Sequence, residues 1–284
     1  MEIINRRQRM ASIARKLRRE NKTIAFVATM GALHEGHLTL VKEARQMSDV
    51  VIVSIFVNPT QFGAGEDFER YPRDLTGDAA LLSEYEVDYI FAPDREEMYG
   101  EGFSTYVYVE GLAETLEGAS RPGHFRGVAT VVTILFNTIR PDFALFGQKD
   151  AQQLAIIKRM TRDLGFETEI VSVPTVREES GLALSSRNAY LTDDERQRAS
   201  IIYQALREAK ITFKNGERNA SKISEIVRKK IESEPLAQID YVASVDRDSL
   251  EPIEKIDDRE VMIAVAIRFG KIRLIDNIVL NRRQ

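Results

Sequence analysis

The 284-residue sequence contains no cysteine. Disulfides, thiol nucleophiles and cysteine-ligated clusters are thereby excluded, and no mark of secretion remains. Long apolar runs are also missing, because no stretch approaches the roughly 20 residues that a membrane-spanning helix requires. The opening Met1-Glu2-Ile3-Ile4 lacks a signal peptide's apolar centre, so a cytoplasmic protein with no membrane partner is expected. Gly-x-x-x-x-Gly-Lys-Ser/Thr occurs nowhere, which argues against a kinase of the Walker type. Internal repeats and low-complexity linkers are absent. Neither sign of charge dominates: 40 Lys and Arg face 44 Asp and Glu, a net charge of −4. The basic stretch Arg15–Arg19 is interleaved with Ile13, Ala14 and Leu17, so it reads as a solvated helix face, and no nucleic-acid partner is expected.

Histidine is scarce, with three in the chain, yet two of them share one short segment. Thr23–Ala28 is a short apolar run that suits a strand buried on both faces of a parallel sheet. Leu38, Leu40, Val41 and Ala44 then space out one apolar stripe of a helix. Between them lies Met30-Gly31-Ala32-Leu33-His34-Glu35-Gly36-His37. A helix entering here leaves its first N–H groups unpaired, with the positive end of its dipole behind them, and such an end attracts phosphate. His34 and His37, three apart, share a face of the first turn and can both donate to one phosphate chain. Gly31 and Gly36 allow a ligand close to the backbone. A solvated or core His pair, and a three-histidine zinc site completed by His124, are the competing readings.

A second loop of this kind follows Phe143–Phe146, another apolar run. Gly147-Gln148-Lys149-Asp150 leads from it into a helix with Ala151, Leu154, Ile157 and Met160 on one side. Open α/β sheets bind their ligands at the carboxyl ends of their strands. Further on, Leu184-Ser185-Ser186-Arg187 supplies two hydroxyls and a guanidinium, all donors to phosphate oxygens. Gln61 follows the long apolar run Val50–Val57, again at a strand's carboxyl end.

The order Met30–His37, Phe56-Val57-Asn58-Pro59-Thr60-Gln61-Phe62, Tyr71-Pro72-Arg73, Arg121-Pro122-Gly123-His124-Phe125-Arg126-Gly127, Phe146–Asp150 and Leu184–Asn188 closely resembles the pantoate–β-alanine ligase (pantothenate synthetase) family. The resemblance runs motif by motif over residues 23–191 and continues more weakly to Leu274-Ile275-Asp276-Asn277. It implies kinship with nucleotidyltransferases and class I aminoacyl-tRNA synthetases, whose His-x-Gly-His signature and second loop grip ATP.

What the resemblance implies is a ligase that condenses (R)-pantoate with β-alanine. Pantoate's carboxylate attacks the α-phosphorus of ATP, pyrophosphate leaves, and β-alanine's amine attacks the pantoyl adenylate, giving pantothenate and AMP. His37, His34 and Lys149 are its expected catalytic residues. ATP is expected on Met30, Gly31, Ala32, Leu33, His34, Glu35, Gly36, His37, Gly147, Gln148, Lys149, Asp150, Val176, Leu184, Ser185, Ser186 and Arg187. Pantoate is expected on Gln61 and Gln153, and β-alanine on Gln61. Mg²⁺ should accompany ATP, with Asp78 as its carboxylate, although Gly77 stands where several relatives carry an acidic residue. Arg121, His124 and Arg126 fall in a phosphate-side or lid region without individual roles. A homodimer is implied, with Thr105–Val109 as an edge strand that pairs across it. A nucleotidyltransferase, which would retain the nucleotide in its product, and a non-catalytic nucleotide sensor are the rival functions. A tRNA-charging role lacks an anticodon-binding domain.

The fold class expected is α/β. Strands near 23–29, 50–57, 87–92, 142–147 and 168–173 alternate with helices, which means a Rossmann-like parallel sheet. This ATP- and pantoate-binding domain is placed at residues 1–175, and a smaller C-terminal α+β lid domain at 176–284. In the lid, Thr192-Asp193-Asp194-Glu195 reads as a capping box for a helix running to about Lys214. A helix over about 220–233 and strands near 239–245, 261–269 and 272–275 follow, the last two forming a hairpin.

Overall fold

The computed structural model describes residues 1–63 and 65–281, which divide into two compact units. The first comprises Met1–Gln148 and Ile156–Pro174, the second Lys149–Ala155 and Thr175–Gln284.

In the first unit the chain runs β1 (Glu2–Ile4), α1 (Arg7–Arg19), β2 (Ile24–Thr29), α2 (Glu35–Met47), β3 (Val50–Ile55), α3 (Leu75–Ser83), β4 (Tyr89–Phe91), α4 (Arg95–Met98), α5 (Glu117–Ser120), α6 (His124–Ile139), β5 (Phe143–Gly147), α7 (Ala151–Asp163) and β6 (Glu169–Val173). The first turns of α7, through Ala155, are grouped with the second unit. The strands form one parallel sheet in the order β1-β4-β3-β2-β5-β6. Parallel strands with helices on the sheet must be apolar on both faces. Ile24, Ala25, Phe26 and Val27 are accordingly all at 0 % exposure, as are Val51, Ile52 and Val53. From β2 the chain progresses to β3 and β4 on one side and resumes at β5 on the other. The switch point therefore lies between β2 and β5, and the crevice outside their carboxyl ends opens at Thr29–His34 and Gly147–Gln148.

The second unit holds α8 (Asp193–Arg198), α9 (Ile201–Lys214), α10 (Ala220–Glu232), β7 (Ala237–Asp246), β8 (Val261–Phe269) and β9 (Ile272–Leu280). Its antiparallel sheet has the order β7-β8-β9. Leu206, Phe213, Ile223, Val227 and Ile231 of the helices bury against Ile263, Val265, Ile267 and Phe269 of β8.

All five expected strands of the parallel sheet form, each within two residues of its expected bounds. Three expectations need correction. The single helix from Thr192 to Lys214 is two: at Ala199-Ser200 the backbone tightens, and Ile202 N–H bonds back to Ala199 O at 3.1 Å, three residues away. The capping box itself is present on Thr192 and Glu195. β9 continues to Leu280, well beyond residue 275. Thr105–Val109 forms no strand in this chain, and Val107 N–H donates to Thr130 Oγ1 at 3.0 Å. The three-residue edge strand β1 was not anticipated. Among the described residues no helix is long and apolar enough to cross a membrane.

Candidate active site

In the first unit the chain leaves β2 and turns sharply before α2. Gly31 and Ala32 take positive φ values of 80° and 51°, a region that disfavours any residue with a β-carbon. Asp78, on α3 and 4 % exposed, holds this turn: its Oδ2 accepts Ala32 N–H at 3.1 Å and its Oδ1 accepts Leu33 N–H at 2.8 Å. A Cβ at position 31 would lie 2.8 Å from Asp78 Oδ2. Burial pushes the Asp78 carboxyl above the usual carboxylate range in spite of the two N–H donors.

His34 is the N-cap of α2, and its Nδ1 accepts Gly36 N–H at 3.1 Å. His37 Nδ1 reaches back to His34 N–H at 3.4 Å, closing a reciprocal capping box built from two imidazoles. Their ring centroids are 4.1 Å apart. A ring nitrogen that accepts a backbone N–H carries no proton, so both neutral rings bear theirs on Nε2. Two imidazole donors thus stand at the positive end of a 13-residue helix.

Gln61 closes a one-turn 3₁₀ helix, Pro59–Gln61, that follows β3. Both ends of its side chain are held: Oε1 accepts Asn58 Nδ2 at 3.0 Å, and Nε2 donates to Met30 Sδ at 3.0 Å. Asn58, only 1 % exposed, is the hub. Its Nδ2 also donates to Gly127 O at 3.2 Å, and its Oδ1 accepts Tyr99 OH at 2.7 Å and Thr60 Oγ1 at 2.9 Å. Burial pushes the Tyr99 hydroxyl up to about 12, which keeps it a donor. At Gly127, α6 runs against this turn so closely that a Cβ would lie 2.4 Å from Thr60 O.

His124, the first residue of α6, meets the same turn from another side. Its Nδ1 contacts Gln61 O at 2.7 Å and its Nε2 contacts Arg121 Nη1 at 3.1 Å. Since a carbonyl only accepts and a guanidinium only donates, the ring is neutral with its proton on Nδ1, the opposite tautomer to His34 and His37. Burial, reinforced by the Arg121 charge, lowers its pKa from 6.5 to about 4. Arg121 is fixed by Glu66 through two 2.7 Å bonds. Burial acts to raise the Glu66 pKa, but the Arg121 bonds and charge prevail and hold it below the usual range. Both nitrogens of His124 are therefore engaged around Gln61, not with the His34–His37 pair. The described residues hold no cluster of three His, Cys, Asp or Glu suited to a metal ion.

Gly147 and Gln148 end the first stretch of the first unit, and the second unit carries Lys149, Asp150, Gln153, Val176 and Leu184–Arg187. Lys149 Nζ lies 3.4 Å from Asp150 Oδ1, and Lys149 O accepts Asn277 Nδ2 at 3.0 Å. Gln153 is half-buried near the start of α7. Val176 and Leu184 are joined by a 3.0 Å backbone bond across a narrow arm, with Arg177 and Ala183 paired as an antiparallel bridge. The arm delivers Ser185, the N-cap of a 3₁₀ turn over Ser186–Tyr190, whose Oγ accepts Arg187 N–H at 3.3 Å.

The reading from sequence named Asn58 and Gly127 only as members of motifs and Tyr99 not at all, and it gave Arg121 no individual role and His124 one only in the competing zinc reading. Asn58-Pro59 was the available signal, since Asn before Pro initiates turns. Tyr99 and Gly127 gave none, because their partners lie 41 and 69 residues away.

The sequence profile described as pantoate-beta-alanine ligase matches residues 2–279. Pantothenate synthetase of Heliobacterium modesticaldum is 54 % identical over 280 residues, 99 % of each chain. The crystal structure of pantothenate synthetase from Thermus thermophilus superposes with a TM-score of 0.91 at 46 % identity, covering 98 % of this chain and 99 % of that one. Pantoate-beta-alanine ligase from Francisella tularensis, solved in complex with beta-gamma ATP and β-alanine, has a TM-score of 0.81 at 36 % identity, covering 98 % and 97 %.

Proposed function

The chain belongs to the pantoate-beta-alanine ligase family, and we propose that it joins (R)-pantoate to β-alanine through a pantoyl adenylate. ATP is consumed, and pantothenate, AMP and pyrophosphate are released. The observation that carries the reading is the His34–His37 capping box, which aims two Nε2 donors from a helix start at the switch point of a parallel sheet.

A carboxylate is a poor acyl donor to an amine until it gains a leaving group. Its oxygen attacks the α-phosphorus, the bond to the bridging oxygen breaks, and pyrophosphate departs with the electron pair. Negative charge grows on the β- and γ-phosphates, and positioned cations and N–H donors meet it. His34 and His37 donate from Nε2, Lys149 supplies a compact positive charge, and Ser185, Ser186 and Arg187 hold the far phosphates. The backbone of Met30–His37, with Gly147, Gln148, Asp150, Val176 and Leu184, completes the ATP site. Gln61 and Gln153 bind pantoate's polar groups without neutralising its reacting carboxylate. Gln61 also meets β-alanine, whose nitrogen attacks the acyl carbon as AMP leaves with the bonding electrons and the amine gives up a proton.

Mg²⁺ would accompany ATP in this reading and would supply positive charge against the departing pyrophosphate, with few protein groups needed to hold it. Asp78 does not fit the direct ligand role expected from the sequence. Its two oxygens are committed to Ala32 and Leu33, it is buried, and Gly77 brings no second carboxylate. We reassign it to the shape of the ATP turn. The division into a domain at 1–175 and a lid at 176–284, cytoplasmic location and a homodimer belong to the same proposal. Tyr106 and Tyr108, exposed by 44 % and 50 %, lie in the segment assigned to the dimer contact.

The test is pyrophosphate release from MgATP. Release that requires pantoate, with AMP and pantothenate formed once β-alanine is added, is expected. Absence of ATP consumption under every combination would reduce the chain to a nucleotide-binding module or a transferase with a different acceptor.

A further inference from the structure

Two consecutive residues of β9 each hold a different segment of the second unit's share of the proposed phosphate machinery. Asn277 donates its Nδ2 proton to the main-chain carbonyl of Lys149 at 3.0 Å, across 128 residues of sequence. Asp276, 4 % exposed, receives both arms of the Arg177 guanidinium at 2.6 and 2.9 Å. Arg177 is the first strut of the arm that ends in Ser185–Arg187. It donates to Gly181 O at 3.1 Å and lies 4.0 Å above the Tyr203 ring. Tyr203 in turn crowds Gly181, where a Cβ would fall 2.3 Å from its ring. The pair is also joined to itself, because Asn277 N–H donates to Asp276 Oδ1 at 2.8 Å.

A fork-shaped Arg on a buried carboxylate has one geometry, and an amide donor on a carbonyl sets one distance. We infer that Asp276 and Asn277 are positioning residues that set the spacing between Lys149 and the Ser185–Arg187 loop, and thereby the rate of adenylation. Neither needs to touch substrate. The Leu274–Asn277 motif, otherwise without a task in the chemistry, acquires one: a rigid strand that fixes two phosphate-binding segments together. The inference rests on the proposed role of Lys149 and of that loop in the departure of pyrophosphate.

Asn277→Asp tests it at nearly constant volume, since an ionised carboxylate cannot donate to Lys149 O. Pantoate-dependent ATP–pyrophosphate exchange should fall about tenfold to a hundredfold in kcat, as misplacement of positioned groups costs, with little change in the KM for pantoate. Conversion of supplied pantoyl adenylate and β-alanine to pantothenate should stay at the wild-type rate. Arg177→Lys, which keeps the charge and loses the fork, should give the same split and serves if Asn277→Asp does not fold. Equal slowing of both half-reactions would make the pair merely structural and overturn the inference. Wild-type exchange in both variants would overturn it as well. Absence of exchange in the wild-type protein would instead overturn the ligase reading on which it stands.

Discussion

His37 Nδ1 accepts the backbone N–H of His34, and His34's own Nδ1 accepts that of Gly36, so backbone donors set the tautomer of both rings. One helix start is thereby capped by two imidazoles whose Nε2 atoms take no part in the cap. The phosphate donation proposed for them would use the opposite nitrogens of the same rings, so the two roles can be separated by mutation.

His34→Asn keeps a good N-cap acceptor and removes the Nε2 donor. Stability should stay within about 0.5 kcal/mol of wild type, whereas His34→Ala should lose about 1 kcal/mol. Both should slow pyrophosphate release by roughly 10²–10³. Denaturant midpoints and single-turnover rates check the two effects separately. A His34→Asn enzyme with normal turnover would confine His34 to the cap.

Gly127→Ala places a methyl 2.4 Å from Thr60 O and 2.7 Å from Gln61 N, both backbone atoms that cannot swing aside. The Pro59–Gln61 turn must move. A loss of about 1–3 kcal/mol is expected, as for other overpacked sites, together with a raised KM for pantoate and an ATP affinity close to wild type. Unchanged pantoate kinetics would remove Gln61 from that site.

Asp78→Asn offers one acceptor oxygen where two N–H groups need partners, and its amide faces the other donor. An unsatisfied buried donor costs about 1–3 kcal/mol. Nucleotide binding measured calorimetrically in EDTA should weaken, and the Mg²⁺ concentration for half-activation should not move. The opposite pattern, normal metal-free binding with a raised Mg²⁺ requirement, would restore Asp78 as a metal ligand.

His124 titrates near 6.5 when the chain is unfolded and at about 4 when folded. Between these values the unfolded chain binds the extra proton, so stability must fall as pH falls through that window. At about 1.4 kcal/mol per unit, the loss approaches 2–3 kcal/mol by pH 4. Urea titrations of wild type and His124→Asn across pH 7 to 4 should show the shallower slope in the variant. Parallel slopes would remove His124 as the source.

The parallel sheet was legible because its strands are continuous apolar runs, and the loops between strand and helix carried recognisable donors. Lys149 and Ser185–Arg187 could be named from order alone. Their supports could not: Asn277 acts across 128 residues on a main-chain atom of Lys149, and nothing about an asparagine in a strand announces which carbonyl it will meet. The break at Ala199-Ser200 was equally hidden, since both residues continue a helical pattern and only the backbone, through the Ile202 N–H bond to Ala199 O, marks the junction.

What the sequence by itself determined was the alternation of strand and helix, the family, and the residues that carry charge or donate protons. Those follow from hydrophobic period and side-chain chemistry, which are local properties of the chain. Only the tertiary structure decided that Asp78 serves a backbone turn, that His124 is a neutral prop for Gln61, and which nitrogen of each histidine holds the proton. A carboxylate or an imidazole is defined by its partners as much as by its composition, and those partners are brought to it by folding from distant parts of the chain.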